Sequence, residues 1–214
     1  MANSGFRFHS PCNILMAGPS GSGKTVLVQQ LVTQNLDLFT EKPRAIHYCY
    51  GSWQKRFDDM KKKGVKFHEG VPEESDLDVW FPKGGLLVMD DLMAEASDNK
   101  TVVEIFTRHS HHRNITVIYM CQDLFPPGKY QKTISRNAHY IIAFKNPRDK
   151  VAMRNIVQQA FPDNLHNVMD AFKQATARPF GYLVIDFHPE SNDENRLVSY
   201  ILKSEGPTRV YKVD

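Results

Sequence analysis

Gly18-Pro19-Ser20-Gly21-Ser22-Gly23-Lys24-Thr25 fits the pattern G-x-x-x-x-G-K-[ST] at every fixed position. It stands between a short apolar run, Ile14-Leu15-Met16-Ala17, and a helical pattern, Val26-Leu27-Val28-Gln29-Gln30-Leu31-Val32. A strand that enters a glycine-rich loop opening into a helix lets consecutive backbone N–H groups converge on phosphate oxygens. They do so at the helix end that carries partial positive charge. A Cβ at the glycines would block close approach or forbid positive φ. Gly18, Pro19, Ser20, Gly21, Ser22, Gly23, Lys24 and Thr25 are therefore the candidate phosphate cradle. Lys24 would reach the β- and γ-phosphates of ATP, and the Thr25 hydroxyl would hold Mg²⁺. The bland alternative, an ordinary Gly/Ser turn, does not account for the flanks.

A second informative stretch is Gly84-Gly85-Leu86-Leu87-Val88-Met89-Asp90-Asp91. Four apolar residues in a row mark a strand buried on both faces, as in a parallel sheet. The acidic pair stands at its carboxyl end, where open α/β sheets place their ligands. Asp90 would complete the Mg²⁺ shell, and Asp91 occupies the place of a carboxylate that polarises the attacking water. An Asp-Asp helix cap is the competing use of such a pair.

The 214 residues suit one domain with a full-sized core, read here as residues 11–214 preceded by a short N-terminal arm, 1–10. With 27 basic and 24 acidic residues the formal charge is only +3, so the chain is not a polycation and any nucleic-acid contact needs a local basic face. Cys12, Cys49 and Cys121 lie in or beside apolar runs, which suits reduced, buried thiols. No apolar run approaches a membrane span and no signal peptide is evident, which points to an intracellular protein.

Along the chain, 44–50, 65–68, 115–122 and 140–144 read as strands and 24–36, 53–63, 100–107 and 164–176 as helices. The acidic, Pro-containing stretch Gly70–Pro82 reads as a loop passing above the nucleotide. Gly181–Asp186 and Arg196–Leu202 read as an edge hairpin. Lys61-Lys62-Lys63 before Gly64 is a helix stop, Arg108-His109-Ser110-His111-His112-Arg113-Asn114 reads as a polar, solvent-facing loop whose histidines lack metal spacing, and 123–137 reads as a Pro/Gly-containing loop. Gln122, ending its strand level with the acidic pair in a parallel sheet, would sense the γ-phosphate.

Strands alternating with helices argue for a mostly parallel sheet flanked by helices. A strand between the phosphate-loop strand and the Asp90 strand, with a further sensor strand after it, is the layout of ATPases with an inserted central strand. On this basis Arg113-Asn114-Ile115-Thr116-Val117-Ile118-Tyr119-Met120-Cys121-Gln122, with Arg136-Asn137 and Tyr140-Ile141-Ile142-Ala143-Phe144, resembles the FtsK/HerA translocases. There, an Arg opens a strand ending in Gln and an Asn precedes the next strand. Small size and the Asp-Asp pair are similar to the genome-packaging ATPases of double-stranded DNA viruses, poxvirus type, and of Maverick/Polinton elements. Asp91 departs from the Glu more frequent in that family.

The resemblance implies a RecA-like P-loop NTPase fold of the additional-strand type and ATP hydrolysis coupled to translocation of double-stranded DNA. It implies a homo-oligomeric ring, a pentamer or hexamer, and a capsid or portal vertex partner. The location would be the host nucleus or cytoplasm, or the virion. Arg113 would be the arginine finger acting on a neighbour's ATP, with Arg108 and Arg136 as rivals. Lys129, Lys132 and Lys61 to Lys63 are the candidate DNA contacts. Two other classes remain open: a guanylate-type nucleoside monophosphate kinase, which the phosphate loop also resembles, and a nucleotide-dependent assembly switch.

Overall fold

A computed structural model of the chain describes residues 5–92, 99–125, 129–148 and 150–212. Those residues form a nine-stranded sheet in the order β3-β2-β4-β5-β1-β6-β7-β8-β9. The strands are β1 Asn13–Ala17, β2 Ile46–Tyr50, β3 Lys66–Glu69, β4 Gly85–Asp90, β5 Ile115–Cys121, β6 Tyr140–Phe144, β7 Tyr182–Asp186, β8 Leu197–Ser199 and β9 Arg209–Val210. From β3 to β6 every pairing is parallel. From β6 to β9 every pairing is antiparallel.

The central strands are apolar at nearly every position because both their faces are covered. Leu15 and Ala17 join Leu87, Met89, Val117 and Tyr119 in one core cluster. Ile14 and Met16 join Leu86, Val88, Ile118 and Met120 in the other. The two-residue period thus divides each strand between two cores, and the long crossovers demanded by parallel pairing supply the covering helices. Helix α1, Lys24–Gln34, buries Leu27, Val28, Leu31 and Val32 in the second cluster. The other α-helices of the described residues include α2 Phe57–Lys62, α3 Glu74–Trp80, α4 Lys100–Glu104, α5 Gln131–Arg136, α6 Lys150–Ala160 and α7 Leu165–Ala175. After α4 the chain stays helical through a π turn, Ile105–His109, and Ser110–His112.

Four sequence expectations change. The stretch 108–114, expected as a solvent-facing loop, continues the helix as far as His112 and buries His109 and Ser110, and the stretch 123–137, expected as a loop, contains α5. Helix α2 begins at Phe57 rather than Trp53, and Trp53 is 46% exposed. The acidic stretch Gly70–Pro82 is not a loop above the nucleotide but contains α3, running back beside the sheet. Its acids start a helix: Glu73 and Asp76 form a reciprocal capping box, and Glu74 and Asp76 sit in the first turn, where negative charge is stabilising.

The expected C-terminal hairpin is present as β7 and β8, with β9 added outside it. Of the 1–10 arm, Met1 to Ser4 lie outside the described residues. Phe8 is fully buried against Phe39 and Tyr140 of the same chain, and its N–H donates to the Leu38 carbonyl at 2.7 Å. Cys12, Cys49 and Cys121 are free and buried. Among the described residues no helix is long and apolar enough to cross a membrane.

A candidate nucleotide-binding site

Strand β5 lies between β1 and β4, pairing Ala17 with Cys121 and Asp90 with Met120. The parallel register therefore brings the ends of three strands together, and the residues at and just past those ends face one cleft of about 320 Å³. Lys24, Thr25, Asp90, Asp91 and Gln122 all line it, together with Ser20 to Gly23 of the loop. Gly18 and Pro19 stand just behind, their carbonyls accepting hydrogen bonds from Lys24 Nζ, the Pro19 contact at 3.2 Å.

The loop conformation depends on its glycines at two places. A Cβ on Gly18 would lie 2.6 Å from Phe144 Cβ and 2.8 Å from Ser22 Oγ. Gly23 precedes the first turn of α1 at φ 107°, a left-handed conformation that other residues rarely adopt. Among the described residues no side chain caps α1, and its first residues, Lys24 to Val26, line the cleft, so the N–H groups of its first turn are available to an anion there.

Asp90 is only 5% exposed. Its Oδ2 accepts a hydrogen bond from the Tyr48 hydroxyl at 2.6 Å and a long one from Thr25 Oγ1 at 3.5 Å. Burial pushes the Asp90 pKa up, against the opposing pull of the Tyr48 hydrogen bond and the Lys24 charge. Burial likewise pulls the Lys24 pKa down, against Cys121, Asp90 and Asp91. Both charged forms are thus incompletely compensated by the protein. A polyphosphate beside Lys24 and a divalent cation beside Asp90 would each supply the missing charge. The hydroxyl of Thr25 and the carboxylate of Asp90 are hard oxygen donors of the kind Mg²⁺ takes.

Asp91 is exposed and holds a left-handed backbone, φ 56°, that turns the chain out of β4 over Gly51. Gln122 is exposed in the cleft one residue past β5. Arg113 is elsewhere. It precedes β5, so it sits at the opposite end of the sheet, where Nε donates to Asp78 Oδ1 at 2.9 Å and Nη2 to Glu74 Oε1 at 3.2 Å. Asn137 is at that end too, its Nδ2 donating to the Thr133 carbonyl at 2.8 Å. Arg108, on the π turn, and Arg136, closing α5, are both exposed.

Four lining or supporting residues carry no motif in the sequence. Tyr48 needs the β2–β4 register to be placed against Asp90. Gln54 and Arg56 follow β2 and line the cleft on the Asp90 side, and Phe180, just before β7, lines it on the other. Arg56 has one usable signal: it follows the carboxyl end of a parallel strand.

The chain superposes on the genome packaging NTPase B204 of Sulfolobus turreted icosahedral virus 2, in complex with AMPPCP, with a TM-score of 0.54 over 95% of this chain and 98% of that one, at 12% identity. The ATP-γS complex of the same protein gives 0.52 over 84% and 94%, also at 12%. The fold is that of a RecA-like P-loop NTPase. B204 of Sulfolobus turreted icosahedral virus, described as a DNA-packaging ATPase, gives 0.52 over 95% and 98% at 12% identity. No protein-family model and no curated protein sequence matches the chain. At these identities the likeness concerns the fold, and it extends over nearly the full length of both chains.

Proposed function

We propose that this chain is an ATPase that drives double-stranded DNA into the capsid of a virus or virus-like element. The observation that carries the proposal is the convergence of Lys24, Thr25, Asp90, Asp91 and Gln122 on one cleft at the ends of β1, β4 and β5. The full-length likeness in fold to a packaging NTPase supports it.

In this reading the α1 N-terminus and Lys24 bind the polyphosphate, and Thr25 and Asp90 hold Mg²⁺, which supplies charge neutralisation at the β- and γ-oxygens. Asp91 accepts a proton from the attacking water, and Gln122 orients that water and senses whether the γ-phosphate is present. Tyr48 positions Asp90 by occupying one of its oxygens. Arg56 places a cation on the Asp90 flank of the cleft.

The subunits act as a ring of five or six around DNA, docked at a capsid or portal vertex, in the nucleus or cytoplasm of the host or in the virion. Arg113 acts on the ATP of a neighbour. To do so it must exchange Glu74 and Asp78 for phosphate oxygens, whereas Arg108 and Arg136 have no ion pair among the described residues. DNA contacts fall to Lys129, Lys132 and Lys61 to Lys63, and binding is to phosphates and weakly selective for sequence.

The deciding experiment measures Mg-ATP hydrolysis with and without duplex DNA. We expect stimulation by DNA that fades as salt rises, and turnover reduced roughly 100-fold or more in Lys24→Ala. Transfer of phosphate to GMP would establish a kinase instead. Negligible turnover with ATP-dependent assembly would establish a switch.

A further inference from the structure

Two apolar side chains meet solvent at the nucleotide cleft, where apolar exposure is otherwise unexplained. Phe180 is 66% exposed and Val26, the second residue after Lys24, is 39% exposed, and both line the cleft. Phe180 lies against the phosphate loop itself: a Cβ built on Gly23 would sit 3.1 Å from its side chain.

Phe180 also holds a left-handed backbone, φ 59°, which is an outlier for a bulky residue and persists only when the surroundings impose it. They do so here. The Arg178 guanidinium pairs with Glu205 and lies 4.1 Å over the Tyr200 ring, and the Tyr182 hydroxyl donates to the same Glu205. The next residue, Gly181, has room for no Cβ, since the Ala175 carbonyl would stand 2.4 Å from it. The C-terminal antiparallel strands thus fix a short turn whose product is one aromatic ring held out over the loop.

Sheet order gives the ring its place along the ligand. Asp90 reaches the cleft from β4, on one side of β1, and Phe180 reaches it from β7, on the other. If Thr25 and Asp90 hold the metal-bound end of the polyphosphate, the nucleoside end extends toward Val26 and Phe180.

We propose that Phe180, backed by Val26, is the nucleobase platform of this cleft, stacking the base of a nucleoside triphosphate and fixing its orientation. The proposal rests on the nucleotide-site reading given above. Stacking uses the π face that every base has, so purines bind ahead of pyrimidines and ATP and GTP bind alike.

The test is calorimetric titration of Mg-ATP and of Mg-tripolyphosphate, which lacks a base, into the wild-type chain, Phe180→Ala and Phe180→Tyr. Phe180→Ala should weaken Mg-ATP roughly 5- to 100-fold and leave Mg-tripolyphosphate unchanged within about twofold. Phe180→Tyr should bind both as the wild type does. Equal losses for the two ligands, or unchanged Mg-ATP binding by Phe180→Ala, would overturn the platform alone. Wild-type chain that bound neither ligand would overturn the nucleotide site and the platform with it. A change confined to subunit assembly would assign Phe180 to an interface and likewise overturn the proposal.

Discussion

The two ends of the parallel sheet carry similar residue types in opposite electrostatic states. At the carboxyl ends, Lys24 leans on carbonyls of its own loop and Asp90 is buried beside a hydroxyl and a phenol. Among the described residues neither finds a full opposite charge in hydrogen-bond contact, and burial disfavours the charged form of both. At the amino ends, Arg113 is gripped by Asp78 and Glu74. There Asn13 Nδ2 donates to the carbonyls of Phe106 and Asn137 at 2.7 and 3.1 Å, and His47 and His68 stack on Trp80. The difference is one of charge rather than of hydrogen bonding, since Asn13 Oδ1 and His47 Nε2 at the amino ends are themselves buried without a partner among the described residues. At the amino ends the half-buried Arg113 cation has carboxylates beside it; at the carboxyl ends Lys24 and Asp90 are left for a ligand of matching charge to complete, if the cleft holds one.

Removing one charge from each end should separate them most sharply. Asp90→Ala should reduce ATP hydrolysis about 100-fold or more, because the hard-oxygen partner of Thr25 is lost. Arg113→Ala should leave ATP binding by the isolated subunit unchanged within about twofold and alter stability little, since its carboxylate partners are largely exposed. In assemblies mixed with wild-type subunits, Arg113→Ala should depress turnover more than in proportion to its fraction. A loss of ATP affinity in isolated Arg113→Ala subunits would erase the distinction between the ends.

Much of this contrast is legible in the order of residues alone. Seven residues, Ile115–Cys121, form β5, so at about 3.3 Å per residue Arg113 and Gln122 stand more than roughly 20 Å apart. Arg113 thus cannot serve the cleft of its own chain. Periodicity likewise separates the doubly buried strands from the helices. The glycine-rich loop and Asp90 are readable as candidates because the chemistry proposed for them needs fixed spacings. Tyr48, Arg56 and Phe180 are not, because each reaches the cleft through strand order or register. The pairing of Tyr50 with Asp90 is a contact between residues 40 positions apart that no local pattern encodes. Helix α3 is hidden for another reason: acids that read as loop polarity serve as its capping box.

A smaller effect sharpens the comparison at Asp90. Burial raises its folded pKa above the ordinary carboxylate value, so the folded chain holds that proton more readily than the unfolded one. Ionisation therefore costs stability in full above the folded pKa, and the cost disappears as pH falls below the ordinary value. Asp90→Asn removes this cost and keeps an acceptor for the Tyr48 hydroxyl. In thermal denaturation at neutral pH without ligand, its melting temperature should exceed the wild type's by roughly 1–4 °C. With Mg-ATP at 100 times its Kd the wild type should gain about 2.7 kcal/mol and the variant much less, reversing the order. An apo variant less stable than the wild type would mean that Asp90 is already compensated without ligand.

The smallest effect lies on the flank of the sheet, where α3 packs over β2. His47 is 1% exposed, its Nδ1 is 2.9 Å from His68 Nε2, and its ring stacks on Trp80 at 4.8 Å. Burial, aided by the charges of His68 and Lys66, lowers its pKa from 6.5 to about 4. The folded chain then binds fewer protons than the unfolded one between those values. Stability should rise with pH across that interval and level off above it. Denaturant midpoints taken from pH 4 to 7 should show that slope in the wild type. In His47→Phe, which keeps the stack on Trp80 but cannot titrate, the slope should be shallower, with the His68 contribution remaining. Because His47 does not line the cleft, ATP hydrolysis by the variant at pH 7.5 should match the wild type. An undiminished slope in His47→Phe would place the acid sensitivity in other groups and leave the aromatic stack as packing alone.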